Sequence, residues 1–515
     1  MSRDILIATI NARYHHASLG LRYLYANLGP LQPRAAIREF TLESRSQEIA
    51  EILLADQPRI IGLGVYIWNV EESIRLAAMI KSIEPDCLVI AGGPEVGFED
   101  DLPDGIERWC DYIVAGQGDF AFRDLCRQLL DGESPASRFI KSDNPRLDKL
   151  QLPYAYYDEA DIANRLIYVE ASRGCPFKCE FCLSSLDRTA WNFNLDRFLG
   201  EMDDLYRRGV RHFKFVDRTF NLKRSTTTRI LEYFLDKNDR DLFLHFELIP
   251  DRLPEELKQY LIRFAPGTLQ FEIGIQTFNR EVQTLISRRQ DHDKTCENMT
   301  WLKANTHAHI HADLIFGLPG EDLESFARGF NTLYALGPDE IQLGILKRLR
   351  GTPISRHEDA YQLRFNPSPP YQILSTDRVS FTDVQRVNRF ARYWDMVANS
   401  GRFAGTMRLF NEADLFAEFM MVTDHIYAAT QKTHQIALPR LFERMFDALV
   451  HELGRDATQV AKVMSADFER GGFKGAPAFM TTSRQRVTSN NLRSNNGHSA
   501  RQTRHAQANN QLTHL

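Results

Sequence analysis

Short apolar runs alternate with amphipathic segments through the first quarter of the chain. From Asp4 to about Leu130, runs rich in β-branched residues are separated by stretches in which apolar residues recur at helical spacing. Strands that alternate with helices form a parallel sheet with helices on both faces. We therefore predict a doubly wound α/β domain over residues 1–140. Its predicted strands are Ile5–Ile10, Ala36–Thr41, Ile60–Trp68, Cys87–Ala91 and Tyr112–Ala115.

A second series of strand and helix patterns follows a polar segment, residues 141–160, which we predict to be a linker. The series contains six strand–helix units, fewer than the eight of a closed barrel. Residues 161–375 are therefore predicted to form a partial (βα)6 barrel. Its predicted strands lie near residues 166–172, 212–216, 242–248, 268–276, 309–316 and 339–346.

Alternate positions of these strands differ in character. Successive side chains of a strand face opposite sides, so an apolar set would pack on the surrounding helices. The opposite set is polar and predicts an open lumen that holds ligands, because a closed barrel fills its interior with branched apolar side chains. The apolar set is Ile167, Val169, Ala171, Phe271, Ile273, Ile275, Ile310, Ala312, Leu314, Ile341, Leu343 and Ile345. The polar set is Tyr168, Glu170, Ser172, His245, Glu247, Glu272, Gly274, Gln276, His309, His311 and Asp313.

The pattern becomes purely helical near residue 376 and predicts a small α-helical domain over residues 376–480. Thr382 and Gln385 predict a capping box before a helix over Val384–Val397. Residues 481–515 contain five arginines but no acidic or aromatic side chain. Such a segment buries too little apolar surface to fold, so we predict a disordered tail.

Composition narrows the function classes. The 63 basic and 68 acidic residues leave a net charge of −5, which favours neither nucleic acid nor an anionic membrane. No apolar run reaches the length of a membrane span, and the N-terminus lacks a secretion pattern. Seven cysteines are too few for a disulfide framework. We expect a cytoplasmic protein without membrane or nucleic-acid partners.

Three of those cysteines crowd together as Cys175, Cys179 and Cys182. Three thiolates with this CxxxCxxC spacing on one loop ligate three irons of a [4Fe–4S] cubane and leave the fourth iron open to substrate or cofactor. A structural zinc site usually takes four protein ligands, and no second cysteine pair lies nearby, although Cys296 is available in principle. The spacing therefore favours an iron–sulfur cluster over zinc.

The cysteine loop, with Phe181 before its last cysteine, resembles the signature of the radical S-adenosylmethionine (radical SAM) superfamily. Three later segments, 215–220, 272–277 and 313–321, resemble further motifs of that superfamily. The resemblance implies that the open iron binds the methionine group of SAM and that electron transfer cleaves SAM to a 5′-deoxyadenosyl radical. The residues that it implies for contact with SAM are Phe181, Asp217, Glu272, Gln276 and Gly317.

The order of domains is similar to that of the cobalamin-binding class of radical SAM proteins, in which a Rossmann-like B12-binding domain precedes the barrel. Glycines near strand ends permit close backbone approach to such a cofactor. The helical C-terminal domain resembles a branch with a C-terminal domain of unknown function. The DxHxxG cobalt-ligand motif is absent, so His15 and His16 more readily fit a turn than an axial ligand. The residues expected to bind cobalamin are Gly64, Tyr66, Gly92, Gly93, Gly116 and Gly118.

The resemblance implies an enzyme that cleaves SAM and methylates an unactivated carbon of a small-molecule substrate, with a flavodoxin or ferredoxin as electron donor. A radical SAM oxidative cyclase or rearrangement enzyme is the alternative, and a cluster-bearing redox sensor is the non-enzyme alternative. A metallohydrolase barrel is a further rival, since His309, His311 and Asp313 share one strand face.

Overall fold

The N-terminal part of the chain forms a parallel sheet of six strands in the order β2-β1-β3-β4-β5-β6. This computed structural model describes residues 3–473, 475–480, 501–502 and 504–505. The described chain forms two compact units, of which the first holds this sheet and comprises residues up to Thr219 with Lys347–Ser355 and Asn366–Gln372. The strands are β1 (Ile5–Asn11), β2 (Ala35–Thr41), β3 (Ile60–Gly64), β4 (Leu88–Gly92), β5 (Tyr112–Ala115) and β6 (Phe139–Lys141).

Helices cover both faces of this sheet. One hydrophobic core contains Leu6 and Ala8 of β1, and the other contains Ile5 and Ile7, as the alternation of side chains in a strand requires. The doubly wound prediction is confirmed. The helices of the first unit are α1 (Leu19–Ala26), α2 (Ser46–Leu54), α3 (Val70–Ile83), α4 (Ile106–Trp109), α5 (Asp119–Leu130), α6 (Glu159–Asn164) and α7 (Leu195–Arg207).

Strand β3 is shorter than predicted, because it ends at Gly64 instead of Trp68. The Asn69 side chain turns the chain there: its amide donates to the Gly64 carbonyl at 3.1 Å and its oxygen accepts from the Tyr66 N–H at 2.7 Å. Residues 65–68 consequently leave the sheet at its carboxyl edge. Apolar character alone does not reveal this turn, since Val65 is fully buried.

The first unit also contains the strands that flank the cysteine loop. They are β7 (Ile167–Val169), β8 (Ser172–Arg173), β9 (Trp191–Asn192) and β10 (His212–Phe215). Strands β7 and β10 pair in parallel, whereas β8 and β9 form a short antiparallel pair.

Four parallel strands dominate the second unit and pair in chain order. With β7 and β10 they account for all six strands predicted for the barrel. Buried and half-buried residues alternate along the second and third of the four strands, with the predicted apolar set buried. These strands are β11 (Phe243–Glu247), β12 (Leu269–Gln276), β13 (His309–Phe316) and β14 (Glu340–Ile345), and a hairpin follows with β15 (Arg364–Phe365) and β16 (Ile373–Ser375).

Nine helices complete the described part of the second unit, and the predicted helical C-terminal region is among them. They are α8 (Arg224–Lys237), α9 (Glu255–Leu261), α10 (Arg280–Leu285), α11 (His292–Asn305), α12 (Leu323–Ala335), α13 (Phe381–Val397), α14 (Leu415–Thr430), α15 (Leu438–His451) and α16 (Ala457–Arg470). No helix in the described ranges is long and apolar enough to cross a membrane.

The predicted capping box is wrong in position. Helix α13 begins three residues before Val384, and Ser380 caps it by accepting a hydrogen bond from the Asp383 N–H at 3.2 Å. Ser380 has the extended backbone that an N-cap needs, whereas Thr382 already lies inside the helix.

The prediction of a disordered tail does not hold at its four described residues. Residues 501–502 and 504–505 are helical, and Arg501 forms ion pairs with Glu340 at 2.8 Å and with Asp395 at 2.7 Å. Charge pairing therefore fixes a segment that has little apolar surface to bury. The other residues of the predicted tail, 481–500, 503 and 506–515, lie outside the described residues.

An aromatic cluster forms the core of α12, α13 and α14. Phe390 is fully buried and packs against Phe330 at 5.2 Å, Phe416 at 4.7 Å and Phe419 at 5.0 Å between ring centroids. We expect Phe390→Ala to lower the free energy of unfolding by about 3–5 kcal/mol, because it leaves a cavity among large rings. Thermal and urea denaturation measure this loss.

Phe381→Ala is the matched control, because Phe381 is 55% exposed on the same helix. Its effect should stay within about 0.5 kcal/mol. Equal destabilisation by the two substitutions would contradict a core centred on Phe390.

Candidate active site around the cysteine loop

The cysteine loop begins where β8 ends, at Gly174. Gly174 has a φ of +88°, and a Cβ there would lie 2.8 Å from the Ala190 nitrogen and from Thr189 Oγ1. Only glycine fits this turn without strain. The next N–H, of Cys175, donates to the Asp187 carbonyl at 2.7 Å. The loop is therefore closed on itself before its first thiol.

The three thiols of the loop lie close enough to interact electrostatically. Burial raises the pKa of Cys175 to about 11, and the neighbouring Cys182 and Cys179 add to the increase. Ser185 Oγ donates to the carbonyls of Cys179 and Cys182 at 2.8 and 2.7 Å and fixes their backbone. Because burial keeps Cys175 protonated, iron binding must displace a proton from it.

The three free thiols of the loop suit a cluster better than a single ion. No three His, Cys, Asp or Glu side chains in the described ranges converge on a point as the ligands of one metal ion would. In a cubane each thiolate binds a different iron, so the thiols stand around the cluster instead of meeting at one atom. The loop fits a [4Fe–4S] cluster. The described residues contain no set of side chains that could hold a zinc ion.

Asp217 anchors the strand that leads into the loop. Its carboxylate accepts from the Ala171 N–H at 2.9 Å and from Ser172 Oγ at 2.6 Å. Burial, with a smaller contribution from Glu170, raises its pKa to about 7. Both oxygens of Asp217, which the radical SAM resemblance assigns to SAM, are thus engaged by the protein itself.

The buried Arg173 guanidinium connects the loop to the edge of the cofactor-domain sheet. Its Nε donates to Glu170 at 2.8 Å, and its Nη1 donates to Asp119 at 2.9 Å and to Gln117 at 3.0 Å. The guanidinium also lies 4.3 Å from the centroid of the Tyr23 ring. Burial opposes the charge, but Glu170 and Asp119 outweigh it and raise the pKa of Arg173 well above its ordinary value. Sequence reasoning missed this residue, because two of its partners, Gln117 and Asp119, are more than 50 positions away.

A cavity of about 380 Å³ lies in the first unit between the carboxyl edge of the sheet and the cysteine loop. All six residues expected to bind cobalamin line it: Gly64, Tyr66, Gly92, Gly93, Gly116 and Gly118. Glu170, Arg173 and Gly174 line the loop side. Its volume lies in the range of small-molecule sites.

Two glycines show why the cavity wall is bare. Gly93 has a φ of +120°, and a Cβ there would lie 2.4 Å from the Val65 carbonyl oxygen. Gly20, at the start of α1, also lines the cavity, and only the Tyr66 hydroxyl, at 3.4 Å, lies within 4 Å of its missing Cβ. Sequence reasoning missed Gly20, because a glycine within a helical pattern does not by itself indicate a ligand-binding site.

In the second unit, the polar lumen residues lie along β11, β12 and β13. His245 Nε2 lies 2.9 Å from Glu272. Gln276 has a φ of +73°, and its side chain folds back over Gly274 so closely that a Cβ at Gly274 would lie 2.5 Å from its amide nitrogen. The buried Gln276 Oε1 accepts no hydrogen bond from the described residues. Gln276 therefore offers an acceptor that suits the amino or hydroxyl groups of SAM.

Gly317, a further expected SAM contact, has a packing role in the structure. Its φ is +88°, and a Cβ there would lie 2.6 Å from Ile373 Cγ2. Phe181 is half-buried on the cysteine loop. The assignment of these two residues to SAM stays a prediction.

The metallohydrolase rival gains no support. His309 lies 3.2 Å from Glu340, His311 lies 3.8 Å from Asp313, and His245 contacts Glu272. Each histidine thus has a separate carboxylate neighbour, and no metal-binding set forms within the described residues.

Comparisons with known protein families match this architecture. Residues 5–126 match the B12 binding domain, and residues 169–332 match the radical SAM superfamily. The chain thus carries the two domains of the cobalamin-binding radical SAM proteins, in the same order. Residues 359–513 match a protein family of unknown function, DUF4080. The expected fold class is confirmed, and the matched domains support the three expected cofactors.

Individual relatives share the domains at low identity. The cobalamin-dependent radical SAM methyltransferase TokK of Streptomyces tokunonensis is 24% identical over 384 residues, which cover 63% of this chain and 52% of TokK. The chain thus spans about half the length of this curated relative. The cobalamin-dependent SAM radical enzyme OxsB, solved with aqua-cobalamin and SAM, has a TM-score of 0.62 and 14% identity over 92% of this chain and 81% of that structure. The radical SAM methyltransferase TsrM of Kitasatospora setae, solved with cobalamin and a [4Fe–4S] cluster, has a TM-score of 0.56 and 16% identity over 72% of this chain and 82% of that structure.

Alanine substitution of Cys175, Cys179 or Cys182 is expected to remove most of the bound iron and the visible absorption of the cluster. Each substitution deletes one of the three expected cluster ligands, which lie on a single loop. Iron analysis and absorption spectroscopy after anaerobic reconstitution measure the loss. Cys296→Ala is the control and should bind as much iron as the unaltered protein. A Cys179→Ala protein that retained about four irons per chain would refute the assignment.

Proposed function

We propose that the protein is a cobalamin-dependent radical SAM methyltransferase that methylates an unactivated carbon of a small-molecule substrate. The observation that carries this proposal is the cavity shared by the glycine edge of the cofactor-domain sheet and the cysteine loop. In this arrangement a corrin bound along the sheet edge would face the ligands of the cluster across one space. A redox sensor needs no such second cofactor site beside its cluster.

The residues of the chain have separate tasks in this proposal. Cys175, Cys179 and Cys182 would hold the cluster with one iron open, and Gln276 Oε1 would accept a hydrogen bond from SAM. The glycine edge would hold cobalamin, because its bare backbone admits a flat macrocycle. When bound, the cofactors supply the 5′-deoxyadenosyl radical and the methyl group, and the protein positions them and excludes water.

The relatives favour methylation over the other reactions considered. TokK and TsrM are both described as radical SAM methyltransferases. We infer the same reaction class here, with an oxidative cyclisation or rearrangement as the alternative outcome of the test. All seven cysteines are free thiols, which agrees with a cytoplasmic location and a reducing partner such as flavodoxin or ferredoxin.

Anaerobic turnover tests the proposal. Reconstituted protein with cobalamin, SAM and a low-potential reductant should release 5′-deoxyadenosine and transfer labelled methyl groups from SAM into a component of a small-molecule extract. A gain of one methylene mass in that component indicates methylation. Loss of two hydrogens without added carbon would indicate cyclisation instead. Absence of 5′-deoxyadenosine from cluster-loaded protein would refute radical SAM chemistry altogether.

Gly20→Leu tests where cobalamin binds. The helical backbone at Gly20 accepts a side chain, and an isobutyl group there would project into the cavity. We expect cobalamin affinity to fall about tenfold or more, because the added methylenes occupy ligand space. Spectroscopic titration of cobalamin measures the change.

The matched control is Gly200→Leu. Gly200 is an exposed glycine of α7 with no atom within 4 Å of its missing Cβ, so this substitution should leave cobalamin affinity unchanged. If Gly20→Leu bound cobalamin as tightly as Gly200→Leu, the cofactor would have to lie elsewhere.

A further inference from the structure

A lysine without a counter-ion lies beside the site in the first unit. Lys214 of β10 is half-buried and pairs in register with Tyr168 of β7, so the two side chains are neighbours on one face. The adjacent Phe213 and Phe215 point to the opposite face and are buried. Glu170 and Val216 lie two positions after Tyr168 and Lys214, on the same face, and both line the cavity. Two residues of a strand span about 6.6 Å, so the backbone of Lys214 lies about that far from the cavity wall.

The charges around Lys214 are unbalanced. Among the described residues no carboxylate forms an ion pair with its ammonium, whereas buried cations of the same unit do have such partners. Arg22 lies 2.9 Å and Arg165 lies 2.8 Å from Glu39. The electrostatic neighbours shown for Lys214 are His15 and His16 of the β1–α1 turn, and Arg13 acts on the same two rings. A half-buried ammonium without an ion pair has hydrogen-bonding capacity that an anion could take up.

The neighbours of Lys214 supply neutral hydrogen-bonding groups. The Tyr168 hydroxyl lies 2.5 Å from His16 Nδ1, and the His15 and His16 rings lie 4.1 Å apart. Burial, together with the charges of His15, Lys214 and Arg13, lowers the pKa of His16 to about 4. His16 is therefore neutral near pH 7, and the local positive charge comes from Lys214 and Arg13. Cations flanked by neutral hydrogen-bonding groups match an oxyanion that makes several hydrogen bonds.

We propose that Lys214, with Tyr168 beside it, binds an anionic oxygen group of the substrate, a carboxylate or a phosphate. The inference rests on the proposed function, because it identifies the substrate as the ligand that reaches this face of the site. The methyl acceptor is accordingly a small acid, and a neutral hydrocarbon acceptor is excluded. Fixing the acidic group at one end would orient the rest of the molecule toward the cavity.

Anion binding tests this proposal independently of turnover. Isothermal titration calorimetry of the full chain, with its cluster and cobalamin bound, would use inorganic phosphate and acetate as probes. We expect one equivalent of at least one probe to bind, and Lys214→Met to weaken that binding about tenfold or more, because a charge-assisted hydrogen bond is lost. Lys214→Arg should retain affinity within about threefold, since it keeps the charge.

Lys462→Met is the control, because Lys462 is exposed on α16, and it should bind both probes as the unaltered protein does. Iron and cobalamin contents of each variant report correct folding. The proposal is overturned if the unaltered protein binds neither probe, or if Lys214→Met binds as well as Lys462→Met.

Cobalamin itself carries a phosphodiester, so the measurement is repeated with cobalamin-free protein. A substrate site should bind the probe equally with and without cobalamin. If cobalamin abolished probe binding, the anion would belong to the cofactor and the assignment to substrate would be wrong. Because no turnover is measured, failure of methyl transfer and failure of anion binding are separate results.

Discussion

The site depends on one buried guanidinium. Arg173 immediately precedes the cysteine loop, and it pairs with Asp119 at the carboxyl edge of the sheet and with Glu170 at the end of β7. Glu170 and Asp119 are both buried, so removing the cation would leave two unpaired charges, at a cost of roughly 3–5 kcal/mol. An apolar contact would hold the same segments together but would not fix their register. The directional hydrogen bonds of Arg173 set where the loop lies relative to the glycine edge of the sheet, and the proposed radical chemistry requires such fixed separations.

The bare edge of the sheet follows from a second constraint. Glycines in this region are needed by the fold as well as by a ligand: Gly93 avoids the Val65 carbonyl, and Gly174 avoids the backbone of Ala190. The atoms packed against these glycines leave no room for a side chain, and the surface of the cavity is therefore bare backbone there. Gly20 differs, because nothing behind it demands a glycine and its missing side chain serves only the cavity.

Local patterns predicted the fold well because their causes are local. Alternation along β12 and β13 follows from strand geometry, and the cysteine spacing follows from cluster geometry. The predictions are wrong where one contact, often with a residue distant in the chain, determines the local structure. Asn69 ends β3, Ser380 instead of Thr382 caps α13, and Glu340 with Asp395 holds Arg501 in a segment whose composition predicts disorder. The partners of Arg173 were equally invisible, since spacing along the chain does not encode which buried charges meet.

Polar groups inside the protein divide into those that the fold satisfies and those that it leaves to ligands. Both oxygens of Asp217 accept hydrogen bonds, from the Ala171 N–H and from Ser172 Oγ, and His245 contacts Glu272, so other protein groups already engage these side chains. Gln276 Oε1 is buried without a hydrogen bond from the described residues, in a backbone conformation that is costly for a non-glycine residue. The unsatisfied acceptor of Gln276 is therefore a stronger indication of a ligand than the polarity of the lumen as a whole.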